Sequence, residues 1–291
     1  MRNLKVLLLV LAILDLCQVA SAAVFTEDFE SYADGTALHG EGGWKGWDNT
    51  PGAGAPVSNA FAYSGNNSVE IGGSADLVHE FDIAGGMWEL TVMQYIPSDT
   101  TGNNYFILLN SYDDGANQDW SVQLPINLAT GVMTSAYDGA VSVNILYDQW
   151  VELKFVIDLD NNTVDEYYNG ELFSTHQWDD NNHGTIGAID LYSEGASAIY
   201  YDDISITAPI GAYNPDPSDG VVLLETWASI SWSAGSYAAS HDVYFGDNFD
   251  DVNDGTGDTF RGNQGLLETF YIAGFFGYAY PDGLVNGQTY Y

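Results

Sequence analysis

Trp150-Val151-Glu152-Leu153-Lys154-Phe155-Val156-Ile157-Asp158-Leu159, then Asp160-Asn161-Asn162, then Thr163-Val164-Asp165-Glu166-Tyr167-Tyr168-Asn169-Gly170-Glu171-Leu172-Phe173, is the stretch that decides the fold. Val151, Leu153, Phe155 and Ile157 alternate with Glu152, Lys154, Val156 and Asp158. A period of two puts one set of side chains on a buried face and the other on the opposite face of a strand. Asp160 to Asn162 carries turn chemistry, and Asn169-Gly170 is a dipeptide suited to a tight hairpin. The stretch therefore predicts an antiparallel meander with one buried face.

Outward from this meander the same grammar repeats. Short β-prone runs separated by Gly, Asn and Asp clusters predict strands at Ser68–Ile71, Leu77–Phe81, Trp88–Ile96, Tyr105–Ser111, Trp120–Leu124 and Val132–Tyr137. Further strands are expected at Glu171–His176, Ile186–Tyr192 and Ile199–Thr207, with a turn at Asp113-Asp114-Gly115. No stretch has the pattern of a long amphipathic helix. The fold class is all-β, with a sandwich expected over residues 24–207. Ala208-Pro209 and Pro215-Asp216-Pro217 mark residues 208–220 as a linker. A second β-segment is expected over 221–291, with strands at Ala228–Trp232 and His241–Phe245. The closing Gln288-Thr289-Tyr290-Tyr291 is β-prone with no polar stop, which reads as a cut in mid-strand and a fragment of a longer protein.

Residues 1–22 have the organisation of a signal peptide: Arg2 and Lys5, the apolar Val6 to Leu14, and Ala20-Ser21-Ala22 at a cleavage site. A lipoprotein signal would use Cys17, but Leu16 stands where a small residue is expected. The apolar run is too short to span a bilayer, so the chain is expected to be secreted or extracellular, at the cell surface or free, without membrane insertion. Cys17 is the one cysteine. A secreted domain without disulfides must rely on core packing or on metal.

The formal net charge is −36. Beyond residue 22 only Lys45, Lys154 and Arg261 are basic. Nucleic acid is excluded as a partner, because phosphate binding needs Lys and Arg. Such a charge keeps a protein soluble in salty water, and it also suits divalent-cation sites. With 46% hydrophobic and 14% aromatic residues, the chain has the material for a core.

Two acidic clusters bracket the first β-region: Glu27-Asp28-Phe29-Glu30 at its start, and Asp202-Asp203 inside Ile199 to Ile206. Carboxylates within apolar strands are costly unless neutralised. With first and last strands side by side, a calcium site becomes an expectation. Its alternative is that one Asp of the pair faces solvent while the other accepts backbone amides. Strand parity sends residues 202 and 203 to opposite faces, so only one of them can join a given site.

The segments Phe25–Asn49, Trp150–Phe173 and Ile199–Thr207, in this order and spacing, resemble the opening, central meander and closing strand of concanavalin A-like, laminin-G-like jelly-roll domains. The resemblance covers roughly residues 24–207 and implies a jelly-roll β-sandwich. It also implies a structural calcium, with Asp28, Glu30 and Asp203 as side-chain ligands, Asp202 as the rival of Asp203, and Gly35 as carbonyl donor. The second segment resembles a fibronectin type III-like, immunoglobulin-type sandwich, incomplete here, through Trp232, the run His241 to Asp254, and Leu284 followed by Tyr290 in the manner of a tyrosine corner.

Catalytic patterns are weak. Asp190-Leu191-Tyr192-Ser193-Glu194 is the nearest approach to the paired-carboxylate strand of jelly-roll glycosidases, and it lacks the first Glu. Three basic residues are too few for a uronate lyase. Asp158 to Asn162 opens like an EF-hand loop but has Thr163 and Asn169 where Gly and Glu are required, so it reads as a hairpin turn. Aromatics carry the better argument, since sugar C–H faces pack on aromatic rings while amides and carboxylates bond hydroxyls. Trp44, Trp47, Trp120 and Trp178 lie in or beside polar loops and are the candidate glycan ligands. Trp88, Trp150 and Trp232 fall on strands and read as core. The expected role is a noncatalytic carbohydrate-binding or adhesion module, its partner a polysaccharide or cell-surface glycan. A divergent jelly-roll glycosidase or lyase, and a structural spacer, are the other readings.

Overall fold

The computed structural model describes residues 23–137, 141–181, 183–209, 211–217, 220–236 and 238–291, so the expected signal peptide lies outside the described residues. The first β-region is built from β1 (Ala23–Glu27), β2 (Trp44–Gly46), β3 (Val57–Ser58), β4 (Ser68–Ile71), β5 (Asp76–Ala84), β6 (Met87–Tyr95), β7 (Asn103–Asp113) and β8 (Ala116–Asn127). It continues with β9 (Val132–Thr134), β10 (Ser142–Asn144), β11 (Trp150–Asp158), β12 (Thr163–Tyr168), β13 (Glu171–Gln177), β14 (Thr185–Ser193) and β15 (Ile199–Thr207).

These strands form two antiparallel sheets. One has the order β13-β12-β11-β6-β15-β4-β3, with β1 also paired to β15, and the other β10-β9-β8-β7-β14-β5-β2. Neighbours far apart in sequence, such as β6 with β15 and β7 with β14, give the crossed connections of a jelly roll. First strand lies against last, with Phe25 opposite Ile206 and Glu27 opposite Ile204. The meander forms as its alternation requires. Phe155 pairs with Glu166 and Leu153 with Tyr168, while Val151, Leu153, Phe155 and Ile157 all face the core. Asn169 and Gly170 both take positive φ, 54° and 81°, which is the geometry of a two-residue hairpin turn.

The core lies between the sheets. Phe106 of β7 stacks on Phe155 of β11 at 5.0 Å, inside a cluster that includes Leu90, Val92, Leu108, Leu124, Ile189 and Leu191. Of the three tryptophans expected in cores, Trp88 is half-buried and packs against this cluster. Trp150 is half-buried on the outer face of the eight-stranded sheet, 5.5 Å from Tyr95. Its position precedes the inward-facing Val151, so strand parity turns it outward.

The second β-region comprises β16 (Tyr213–Asp216), β17 (Ala228–Ser233), β18 (Ser240–Tyr244), β19 (Phe260–Gly265) and β20 (Phe270–Ala273), with one short helix, α1 (Phe249–Asn253), capped by the Asn248 side chain. It forms a three-stranded sheet, β16-β17-β20, and a two-stranded sheet, β18-β19. The stretch expected as linker thus holds a strand: β16 pairs with β17, Tyr213 opposite Ser233. Val243, Phe245, Tyr271 and Ala273 form a small core of their own, against which the half-buried Trp232 packs. The Tyr290 hydroxyl accepts a hydrogen bond from the Val285 amide at 3.0 Å, five residues upstream.

Candidate functional site

The acidic brackets do come together, but around a loop. On one edge of β15, Ile199 to Tyr201 pair with β4 while Ile204 to Thr207 pair with β1. Asp202 and Asp203 occupy the gap between these two partners. There Asp203 takes φ 44° and the pairing with β6 slips between Asp202 and Ser205, a β-bulge. The bulge breaks the two-residue period, so the parity expectation fails and both carboxylates reach Ser64. Asp202 Oδ2 accepts from the Tyr63 amide at 2.7 Å and the Ser64 amide at 3.2 Å, and Asp203 Oδ1 from Ser64 Oγ at 2.8 Å. Glu30 Oε1 accepts from the amides of Asn66 and Asn67 at 2.7 and 2.6 Å. Asp34 Oδ1 accepts from the Asn59 amide at 3.1 Å. Asp28 Oδ1 caps the Glu30 amide at 3.1 Å, and the Gly35 amide donates to Val57 O.

These bonds set the ionisation of the carboxyls. The amides of Asn66 and Asn67 hold Glu30 below the ordinary carboxylate range. Burial raises Asp202 to about 6, against its three amide donors. A calcium ion at Asp28, Glu30, Asp202 and Asp203 would need their oxygens to converge. Instead Glu30 and Asp202 point at amides of residues 63–67, Asp203 at the Ser64 hydroxyl and Asp28 at the Glu30 amide, and among the described residues no three of these carboxylates bring ligand atoms within 4.8 Å of one another, so this donor set does not fit the ion. Among the described residues, the group of three metal-capable side chains whose ligand atoms lie within 4.8 Å of one another is Asp119, Asp179 and His183.

The four candidate tryptophans separate into two pairs. Trp44 is 1% exposed, so it offers no face to a ligand. Gly43, at φ 89°, passes so close to His79 that a Cβ there would stand 2.7 Å from Nε2, and the ring of the next residue turns inward against Phe29 and His79. Its Nε1 donates to Glu27 Oε2 at 3.1 Å. Trp178 is also 1% exposed, and its Nε1 donates to Thr185 O at 2.9 Å. Both are core residues, contrary to the expectation from their polar sequence neighbours.

Trp47 and Trp120 meet. Their rings lie 6.1 Å apart and 20° from parallel, on the outer face of the seven-stranded sheet, and Trp120 is 36% exposed. Trp120 sits opposite Leu109 on β8, and Trp47 packs edge-on against Tyr112 at 5.0 Å. The turn carrying Trp47 is clamped to the β7–β8 hairpin: Asp48 Oδ1 accepts from Gly115 N at 2.7 Å and Gln118 Nε2 at 2.6 Å, and the Asp48 amide donates to Tyr112 Oη at 2.9 Å. Lys45 pairs with Asp114 at 2.7 Å and also with Glu80.

The same face continues along the sheet. Opposite Leu109 on β14 is Ala188, then Asp190 opposite Ile107 and Tyr192 opposite Tyr105. On β5 the matching positions are Glu80, Val78 and Asp76. Tyr105 and Tyr192 stack at 5.4 Å, and Tyr105 Oη donates to Glu194 Oε2 at 3.2 Å. Four residues of strand separate this tyrosine pair from the tryptophan pair, about 14 Å. Between them lies Asp190, 2% exposed and a diagonal neighbour of Asp76 across the β5–β14 pairing, and burial raises both carboxyls above the ordinary range, Asp190 well above it.

At the rim, the loops Asp113–Asp119 and Trp178–His183, both notable in sequence for polar residues beside tryptophan, touch through Asn181 Nδ2 and Asp119 Oδ2. His183 Nδ1 stands 3.6 Å from the same oxygen. Asp179 accepts from the amides of Asn181 at 2.7 Å and Gly184 at 3.0 Å, and from that of His183. Burial pushes Asp179 up, but these amides outweigh it and leave the carboxyl below its ordinary value. The three side chains could hold a metal ion, which would compete with these hydrogen bonds. Tyr105, Tyr112 and Asp76 were not singled out in the sequence as site residues, and His183 only as the end of the polar run that begins at Trp178. Asp190 and Tyr192 were visible only as a carboxylate motif without its first Glu.

No family model matches the chain, and no curated protein matches it in sequence. Solved structures similar to it include the galectin LEC-6 of Caenorhabditis elegans, at 12% identity and TM-score 0.34, over 45% of this chain and 89% of that one. A xylan-binding domain of the CBM 22 type aligns at 12% identity and TM-score 0.36, over 64% and 94%. Trypanosoma rangeli sialidase aligns at 11% identity and TM-score 0.40, over 53% of this chain and 27% of the enzyme. All are β-rich likenesses at low similarity, and the jelly-roll architecture of residues 23–207 stands on its strand order.

Proposed function

We propose that the protein is a secreted glycan-binding module whose binding face is the outer side of the seven-stranded sheet. The observation that carries this reading is the Trp47–Trp120 pair, nearly parallel and partly exposed, set among hydrogen-bonding groups of Asp48 and Gln118. Ring faces take up the apolar side of a sugar, and flanking carboxylates and amides take its hydroxyls. The Tyr105–Tyr192 stack supplies a second aromatic position on the same face. Secretion is supported by the signal-peptide organisation of residues 1–22. Among the described residues no helix is long and apolar enough to cross a membrane.

In this reading residues 24–207 form the binding module. Residues 221–291, with β16 added from the preceding stretch, form a fibronectin type III-like companion, supported by the Tyr290–Val285 hydrogen bond. The test is retention on insoluble polysaccharides and on a glycan array. Trp120→Ala is expected to weaken binding at least tenfold, about 1.4 kcal/mol, with an unchanged melting temperature. Retention undiminished in both Trp47→Ala and Trp120→Ala, or no retention on any glycan, would remove the proposal.

A further inference from the structure

Between the tryptophan pair and the tyrosine pair, the outer face of the seven-stranded sheet brings two carboxyl groups side by side. Asp190 of β14 lies opposite Val78, and Asp76 of β5 lies opposite Tyr192, which makes the two acids diagonal neighbours on one face. Asp76 Oδ1 and Asp190 Oδ1 are both buried without a donor from any other residue. Asp190 is enclosed by Val78 and Ile107, each at most 4% exposed, while Asp76 is only half-buried. Two carboxylates cannot both be ionised in such a place, since like charges in contact inside a poorly solvated floor are strongly disfavoured. One proton between them satisfies both orphan oxygens at once.

Among the described residues no free cation faces the pair. Lys45, opposite Val78 on β2, is already bound to Glu80 and Asp114. The other charged or titratable groups on this face are Asp48 on the Trp47 turn, Glu80 on β5, Tyr105 and Tyr112 on β7, Asp114 at the hairpin turn, Tyr192 on β14, and Glu194 just beyond it. All of these are neutral or negative.

We propose that Asp76 and Asp190 share a single proton and form the selecting floor of the glycan face, which admits an uncharged glycan, rejects a uronate-bearing one, and loses affinity when that proton leaves. The inference rests on the glycan-face reading above. In the protonated pair, the half-buried Asp76 presents an acceptor oxygen to a sugar hydroxyl while Asp190 holds the proton beneath it. Deprotonation leaves two anions in contact. They repel, displace the Asp76 carboxylate from its position and add a charge that a glycan would have to cover.

The experiment uses the full chain and two variants, Asp190→Asn and Asp76→Asn. Asparagine at 190 keeps the shape and a donor toward Asp76 without a titrating proton. Binding to soluble xylan, mixed β-glucan and polygalacturonate is measured from about pH 5 to about pH 9, a range beyond ordinary carboxylate titration, at about 0.1 M and about 1 M salt. At the higher salt the screening length falls to ~3 Å, so the diffuse charge of the protein no longer repels a polyanion but a buried floor still does. An infrared difference spectrum of wild type against Asp190→Asn reads the protonated carboxyl without any glycan.

The expected result is a protonated-carboxyl band at neutral pH that disappears in Asp190→Asn. Binding of a neutral polysaccharide should weaken severalfold as pH rises in the wild type and stay flat in the variant. Polygalacturonate should remain rejected in high salt. Three results overturn the inference while leaving the glycan face standing: no such band, a pH dependence retained in both variants, or polygalacturonate bound at high salt through Trp120. Retention of no polysaccharide at any pH, with the band intact, overturns the glycan-face reading and this inference with it.

Discussion

The two outer faces of the jelly roll are made from the same materials and end differently. The outer face of the eight-stranded sheet carries Tyr95, Trp150 and Tyr200 together with Asp202. The seven-stranded sheet carries Tyr105, Tyr192, Trp47 and Trp120 together with Asp76 and Asp190. On the first face a loop folds over the aromatics: Phe61 stacks on Tyr95 at 4.3 Å, and Tyr63 meets Trp150 at 5.9 Å. The carboxylates of Asp34, Glu30, Asp202 and Asp203 hold that loop down by its amides and one hydroxyl. On the second face the acids find each other, and Trp120 remains open. Aromatics and acids therefore do not by themselves make a binding face. On the first face the carboxylates are spent on holding a loop, whereas on the second Asp76 and Asp190 keep buried oxygens without such donors.

The largest effect that would break this contrast lies beneath both faces. Trp44→Ala empties a fully buried indole site and removes one of the donors to Glu27, so it should cost about 3–5 kcal/mol in urea unfolding. A loss of under 1 kcal/mol would mean that Trp44 is not a core ring. Next is Asp202→Ala, which leaves the Tyr63 and Ser64 amides without an acceptor and should cost about 1–3 kcal/mol. Hydrogen exchange should locate the change at residues 63 and 64. Because amides already occupy these acidic groups, a chelator is expected to leave the melting temperature unmoved. A fall of several degrees on chelation would replace the loop by a metal as the partner of the brackets.

A smaller effect separates cover from core. Tyr63 is half-exposed and edge-on to Trp150, and Tyr63→Ala should cost about 0.5–1.5 kcal/mol while fluorescence reports a wetter Trp150. The finest signal is in pH. Asp190 and Asp202 both have folded-state pKa values above their unfolded ones, so the folded protein binds more protons than the unfolded chain across that window. Stability from these two groups is full below the ordinary carboxylate pKa and is lost as pH rises, through about 6 for Asp202 and through the raised value of Asp190. Asp190→Asn should accordingly be more stable than wild type at alkaline pH, with the gap closing toward pH 4, as read by melting temperature across the range. A gap that widened toward acid would invert the assignment.

Much of the first β-region was legible. Ser68–Ile71, Thr163–Tyr168 and Ile199–Thr207 have the boundaries expected from their apolar runs and turns, and most other strands differ by a few residues at their ends. β2, β3 and β10 were not expected, and β1 only as a first strand without stated bounds. They are two to five residues long, and β2 lies between glycine-rich turns that hide it. The site was less legible. Trp44 and Trp178 look like loop residues by their neighbours, but a core closes around them, while Trp47 and Trp120 become a pair only because a turn at residue 48 is hydrogen-bonded to a hairpin at residue 115.

The amino-acid sequence alone determined the all-β class, the meander from Trp150 to Phe173, the turns that bound it and the strongly acidic charge. Those follow from local rules: a period of two, the backbone demands of Asn-Gly turns, and the count of charges. Only the tertiary structure decided what each acid and each tryptophan does. Asp76 and Asp190 are 114 residues apart and become neighbours through the pairing of β5 with β14. Asp202 and Asp203 reach the same serine because a residue in left-handed conformation interrupts the strand. Neither fact is carried by the residues themselves, since a side chain's environment is set by which distant strand lies beside it, and no local pattern encodes that neighbour.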